Sequence, residues 1–306
     1  MKLSVVPTTH PLIKAFYLGT QGQGKSGSTV PLAISGPIRG LPRPGEGFEL
    51  RVLDFDGKYE EIARAVLHTM YAPEPPKKPL ISKAQHDEAL NRIDLCVCRE
   101  KTGIIKTTVQ RKMASKIGIK GASSAWTTAV NQLDKWMNSF TPNHILIIDS
   151  LTHAAKVAAN YSQELHGRFN QELTWKEFQE PQQLVANLMT FAADCPAHTI
   201  VCGHQTTHEL YRKTTELDDE GKPIEELVDT FIVPVSVGKA GSLELPSQFN
   251  HCLVAAEEGK GRSISRYLHA RPIKGVMTKS PFFNAKARYP IETGWVEYFA
   301  LRKSKN

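Results

Sequence analysis

The chain has 306 residues, 41% hydrophobic and 23% charged, a balance that excludes wholesale disorder and leaves room for one large α/β core. Its formal net charge of +7 favours a polyanionic partner, because Lys and Arg that neutralise phosphates gain affinity from released counterions. Cys96, Cys98, Cys195, Cys202 and Cys252 are too few, and odd in number, for a disulfide scaffold, and none forms a CxxC pair, so a reducing compartment fits best.

The N-terminus opens Met1-Lys2, but Pro7, Thr8, Thr9, His10 and Pro11 interrupt any apolar signal region. Nowhere does an apolar run approach the ~20 residues of a membrane span. The expectation is a protein of the cytoplasm with no membrane partner. A short apolar run at 12–18 leads into the Gly-rich segment 19–26, and Val30 to Ile34 follow it, which reads as strand, loop and helix. Pro31 limits that helix to its first turns. Residues 48–56 form a second strand with acids at its C-terminal end, and 59–70 carry the spacing of an amphipathic helix.

The proline-rich, lysine-bearing stretch 72–79 reads as an exposed connector. Residues 93–99 look like a further strand, in which Cys96 and Cys98 point to one side. Between 101 and 120 six bases, Lys101, Lys106, Arg111, Lys112, Lys116 and Lys120, occur without an acid. The alternatives there are a polyanion-binding face and a merely solvated one, and the span 72–122 is read as a basic inserted or connecting segment. A helix over 123–140 precedes His144–Asp149, whose unbroken aliphatic run predicts a strand buried on both faces. Helical patterns follow at Leu151–Leu165 and 175–193, then a buried strand at 199–205. The polar segment 206–230 reads as a protruding hairpin or a mobile loop. Strands at 231–237, 250–257 and 263–270 predict a β-rich C-terminal part of the same sheet.

Gly19-Thr20-Gln21-Gly22-Gln23-Gly24-Lys25-Ser26 satisfies G-x-x-x-x-G-K-[ST] in full, between a predicted strand and a predicted helix. Glycines allow a tight loop whose amides point at phosphates, Lys25 reaches the β/γ-phosphates, and Ser26 offers a hydroxyl to Mg²⁺. Together with Gly27 these residues form the candidate nucleotide cradle. Such a loop needs a carboxylate at the end of a nearby buried strand, and Asp149 is placed for Mg²⁺, with Ser150 or Thr152 left for helix entry. Asp54 and Asp56 close the second strand, where either is a candidate to orient the attacking water, although Asp56-Gly57 is also a common turn dipeptide. His204 and Gln205 end the later strand on the same rim, where a neutral polar group can sense the γ-phosphate.

These residues resemble a RecA-like core, and more narrowly the small bacteriophage AAA-domain ATPases of single-strand annealing or recombination type. The resemblance rests on GTQGQGKS at 19–26, VLDFD at 52–56, HILIIDS at 144–150, TIVCGHQ at 199–205, VGKAGSLELPSQFNHCLV and AKARYP at 285–290. It spans most of the chain, and only its first motif is specific in itself. It implies one RecA-like P-loop domain over 1–306, with a mainly parallel sheet flanked by helices and a β-rich C-terminal extension. It further implies ATP and Mg²⁺ as cofactors, single-stranded DNA and a single-strand-binding protein as partners, and a homo-oligomeric ring or filament with ATP at its interfaces. Asp56 matches the water-activating glutamate of that family but is one methylene shorter. Gln205 matches its sensor glutamine, and Lys239, Lys260 and Arg262 are candidates to reach a neighbour's nucleotide. Two other readings stay open on the same loop: a small-molecule kinase, and a nucleotide-gated loader or assembly protein with little hydrolysis.

Overall fold

Strand β1 (Lys14–Gly19) is buried at every position and delivers the chain to the Gly-rich loop at its C-terminal end. The computed structural model of the protein describes residues 11–99, 123–166, 174, 178–217, 223–236, 245–259, 264–271 and 278–303. After the loop come a short helix α1 (Lys25–Thr29) and a 3-10 turn (Val30–Ala33) with Pro31 near its start, so the helix is cut short where the ring removes a donor. A small ribbon, β2 (Ser35–Gly36) and β3 (Gly45–Glu46), precedes β4 (Glu49–Asp54) and α2 (Tyr59–Tyr71).

Helix α3 (Lys83–Asn91) is one that periodicity does not reveal. Its signal is local: Ser82 and Gln85 form a reciprocal capping box. It leads to β5 (Ile93–Val97), so this part of the span read as a connecting segment belongs to the main sheet. Then follow α4 (Ser123–Met137), β6 (His144–Asp149), α5 (Leu151–Leu165), α6 (Gln179–Asp194), β7 (His198–Leu217) and β8 (Pro223–Pro234). The polar segment 206–230 falls on β7 and β8. These pair antiparallel from Gln205 with Pro234 to Leu217 with Pro223, which makes it a hairpin apart from residues 218–222, which lie outside the described residues. Strands β9 (His251–Glu258), β10 (Ser265–His269) and β11 (Arg288–Pro290) and helix α7 (Gly294–Ala300) complete the chain.

The main sheet runs β11-β10-β9-β1-β7-β6-β4-β5, with β8 attached to β7. From β9 to β5 every pairing is parallel, whereas β10 and β11 add antiparallel at one edge. The protein is therefore α/β with a mostly parallel central sheet, flanked by helices and extended at its C-terminal side by β-structure. Alternation along the central strands separates two apolar layers. Ile145, Ile147, Tyr17, Val52 and Ile200 meet α2, α3 and α7 on one face. Leu146, Ile148, Phe16, Leu53 and Val201 meet α4, α5 and α6 on the other. Among the described residues no helix is long and apolar enough to cross a membrane. All five cysteines are free, and the Sγ atoms of Cys96 and Cys98 lie 3.6 Å apart on one side of the chain.

Helix α7 matters to the site because Trp295, fully buried, stands edge-on to Tyr17 with ring centroids 5.1 Å apart. The Tyr17 hydroxyl in turn lies 3.1 Å from Ser28 Oγ in α1. The helix after the phosphate-type loop is thus braced from the far end of the chain. Trp295→Ala is expected to destabilise the fold by about 3–5 kcal/mol, as large-to-small changes at a fully buried aromatic do. Urea denaturation of the two proteins measures this directly.

Candidate nucleotide-binding site

In a parallel sheet the C-terminal ends of neighbouring strands fall on one rim, and register decides which residues meet there. Gly19 pairs with His204 across β1 and β7, Asp149 with Cys202 across β6 and β7, and Asp54 with Asp149 across β4 and β6. Strand β7 therefore lies between the strand that feeds the loop and the strand that ends in Asp149. Two strand spacings, roughly 10 Å, separate those strands, and loop side chains must reach across.

The loop is built to do so. Gly22 and Gly24 adopt φ of 83° and 80°, left-handed values that side chains with a Cβ resist. The Gln23 side chain accepts the Thr20 amide at 2.7 Å and closes the turn. Thr20 and Gln21 are exposed, and Ser26 and Gly27 lie in the first turn of α1. That helix has only five residues, so loop amides, rather than a long helix dipole, provide most of the attraction for an anion.

Lys25 is 7% exposed, and its Nζ donates to the carbonyls of Gly19 at 2.7 Å and Thr20 at 2.8 Å. Burial pulls its pKa down, against the pull of Cys202 and Asp149. The ammonium is thus folded back on the loop's own oxygens, which a polyanion seated on the loop can replace as partners. The Ser26 hydroxyl lies close enough to Asp149 to pull its carboxyl pKa down. This sets the hydroxyl and the carboxylate that the sequence pairs for a cation near one another.

Burial pushes the Asp149 carboxyl up to about 6; the Ser26 hydroxyl opposes this, and the nearby charges of Asp54 and Asp56 add to it. A site with excess negative charge and hard oxygen donors suits Mg²⁺. Among the described residues no group of three or more His, Cys, Asp or Glu is arranged to hold a metal by itself. Mg²⁺ needs no such cage, since it commonly takes one or two protein oxygens, substrate phosphates and water. The residues present therefore fit that ion.

The two acids at the end of the second strand divide their work. Asp54 is buried, and its oxygens accept the amides of Gly57 at 2.6 Å and Tyr59 at 2.9 Å, fixing the turn into α2. Burial still raises its pKa. Asp56 is on the rim with its side chain 36% exposed, and the one side-chain contact it makes among the described residues is with His153 Nε2, 3.5 Å from Oδ1. Geometry thus leaves Asp56, not Asp54, free to meet solvent.

On β7, the His204 amide donates to Thr152 Oγ1 at 3.2 Å, and Thr152 Oγ1 donates to the Val235 carbonyl at 3.2 Å. Thr152 so ties the helix after Asp149 to both strands of the hairpin. Gln205 Oε1 is buried without a hydrogen-bond partner, an acceptor in need of a donor. His153, whose ring centroid lies 5.7 Å from that of His204, is the residue that sequence reasoning missed. Its signal was available: with a helix beginning at Leu151, positions 150 and 153 share one face. The basic stretch 101–120 and the bases Lys239, Lys260 and Arg262 lie outside the described residues.

No protein-family model matches the chain, and no curated protein sequence matches it. Among solved structures it is similar to a KaiC-like protein, PH0186, from the hyperthermophilic archaeon Pyrococcus horikoshii OT3, at 12% identity over 90% of this chain and 83% of that one, with a TM-score of 0.43. It is also similar to the RadB recombinase, at 14% identity over 92% of this chain and 89% of that one, with a TM-score of 0.39. Likeness this loose carries no functional weight, and the roles of individual residues rest on the geometry above.

The raised pKa of Asp149 has a measurable consequence for the ligand-free protein. Its folded value, about 6, lies above the ordinary 3.8, so between these pH values the unfolded chain releases a proton that the folded chain keeps. Stability from this group is therefore present at low pH and lost as pH rises from about 4 to about 6, by up to about 1.4 kcal/mol per pH unit. Asp149→Asn is expected to remove this slope, and denaturant midpoints of both proteins across that pH range, in metal-free buffer, test it.

Proposed function

We propose that the chain is a P-loop ATPase that binds ATP with Mg²⁺ and hydrolyses it in work on single-stranded DNA, of recombination or annealing type. The observation that carries the nucleotide part is the parallel register that sets Asp149 on the same rim as the glycine loop, with Ser26 near it and Lys25 held on the loop's carbonyls. The DNA part is supported by the net charge of +7 and by the long polar hairpin that continues directly from Gln205. The likeness of the motifs to RecA-type annealing and recombination ATPases adds adenine, a single-strand-binding protein and a homo-oligomeric ring or filament to the reading.

In this mechanism the loop amides from Thr20 to Ser26 and the Lys25 ammonium hold the β- and γ-phosphates. Ser26 and Asp149 would hold a magnesium ion, which would draw charge from the phosphate oxygens. Asp56 orients a water molecule opposite the leaving group and accepts its proton. Gln205 offers its amide nitrogen toward the γ-phosphate side, and its hydrogen-bonding state is passed along β7 to the hairpin. The short side chain of Asp56 also favours a second reading, in which nucleotide binding gates assembly and turnover is slow.

ATP turnover by the purified chain, measured at low salt with and without single-stranded oligonucleotide, is expected to rise with the oligonucleotide. Lys25→Ala is expected to lower it at least a hundredfold, with the fold intact by circular dichroism. Asp56→Asn is expected to lower kcat by 10²- to 10⁴-fold, the usual contribution of a general base. Calorimetry that detects no binding of ATP and Mg²⁺ by folded protein overturns the nucleotide reading. Turnover and binding both indifferent to oligonucleotide overturn the DNA reading alone.

A further inference from the structure

We propose that His153 is the positioning residue that aims the Asp56 carboxylate at the attacking water, through a chain of contacts from Ser150 Oγ to His153 to Asp56. The inference rests on the reading of Asp56 as the base, and it assigns a role to two residues, Ser150 and His153, outside the cradle and the acids.

Three observations carry it. First, Ser150 is the N-cap residue of α5, yet its side chain makes no cap hydrogen bond. Its Oγ lies instead 3.0 Å from His153 Nδ1, while the His153 and Ala154 amides are served by the Ser150 carbonyl at 3.1 and 2.9 Å. A serine at this position ordinarily caps the helix with its hydroxyl; here the hydroxyl serves the imidazole. Second, the opposite ring nitrogen, Nε2, faces Asp56 Oδ1 at 3.5 Å. In the proposed tautomer Nδ1 accepts from the serine hydroxyl and the ring proton sits on Nε2, the nitrogen that faces the carboxylate. Third, the main chain of Asp56 is held from the same place. The Phe55 and Asp56 amides donate to the Asp149 carbonyl at 2.7 and 3.3 Å. Backbone and side chain of the base are thus both referenced to the turn between β6 and α5.

The surroundings keep the ring neutral. His153 is half-buried, and burial lowers its pKa; Asp56 and Asp54 oppose this, and the cations Lys156 and Lys58 add to it. The His204 ring stands nearly perpendicular to it, at 82°, and closes the side toward β7. A neutral donor matters for the chemistry. An imidazolium would stabilise the Asp56 charge and weaken its basicity, whereas a neutral N–H holds one oxygen in place and leaves the carboxylate able to accept a proton at the other. A ring whose only task were to fasten α5 would have no need to reach a carboxylate in the turn that follows β4.

Steady-state ATP turnover by the full chain with Mg²⁺ tests this through a contrast of amides. In His153→Gln the side-chain NH₂ stands near the place of Nε2 and can donate to Asp56; in His153→Asn it reaches only the Ser150 side. His153→Ala and His153→Asn are expected to lower kcat at least tenfold with KM for ATP changed less than threefold, and His153→Gln to return kcat to within threefold of wild type. Ser150→Ala, which leaves every main-chain bond of the turn in place, is expected to lower kcat by a smaller factor. In the Asp56→Asn background, His153→Ala is expected to cause no further loss. Equal rates for the Gln and Asn variants overturn the inference, as does a full additional tenfold loss in the double variant. If His153→Ala fails to fold, the Gln and Asn contrast decides alone. Asp56→Asn turning over at the wild-type rate removes the base reading itself, a result distinct from a silent His153 beside an essential Asp56.

Discussion

A carboxylate is difficult to keep charged where little water reaches it, and Asp149 is 5% exposed at the end of a strand whose other residues are nearly all aliphatic. Two more acids, Asp54 and Asp56, add their negative potential to the same place, and only the Ser26 hydroxyl and the Lys25 ammonium offset it. The rim therefore carries a concentrated negative potential, and a hard dication would relieve several unfavourable interactions there at once. The glycine loop offers the complementary partner, a curved row of donors for anions. Together the two halves fit a metal–phosphate pair better than either partner alone.

This opposition depends on parallel register. Because β1, β7, β6 and β4 all run the same way, their ends supply a loop, a pair of polar side chains, one acid and two further acids to a single edge. A slip of one residue in β6 would turn Asp149 toward the α4–α6 layer and put an aliphatic residue at the rim. The two buried layers resist that slip, since Ile145 and Ile147 fill one and Leu146 and Ile148 the other. The apolar packing thus sets where the charge falls, and the stability of the sheet and the geometry of the site are one problem.

Much of this was legible in the residues, for reasons that can be named. The loop is read from glycines and a lysine at fixed spacing, because left-handed φ values at Gly22 and Gly24 leave few alternatives. The strand ending in Asp149 is read from four consecutive aliphatic positions, Ile145 to Ile148, a pattern that parallel burial demands. Helix α5 was placed to the residue, since it must begin where the strand's charge ends. Helix α3 was not found, because its apolar face is weak and its cue lies in two cap residues. Helix α7 escaped too: its seven residues are aromatic-rich, and their burial is decided by β1 and by the loop helix, hundreds of residues away in sequence. What a sequence window cannot hold is a contact such as Trp295 on Tyr17, or the strand β7 set between the two halves of the site.

The division between Asp54 and Asp56 shows how the same limit acts on chemistry. Two aspartates separated by one residue on an extended segment are equivalent in sequence pattern, and both sit at a strand end. Their fates diverge because the turn that follows needs an acceptor: Asp54 points back to the amides of Gly57 and Tyr59 and is enclosed. Once one acid is committed to holding the turn, the other is carried out to solvent, and its distance from the cradle is set by the first. The position of Asp56 is set by how tightly Asp54 draws the turn inward and by where the β6–α5 corner, through the Asp149 carbonyl, holds its main chain. In this architecture the placement of Asp56 is a property of the buried acid beside it.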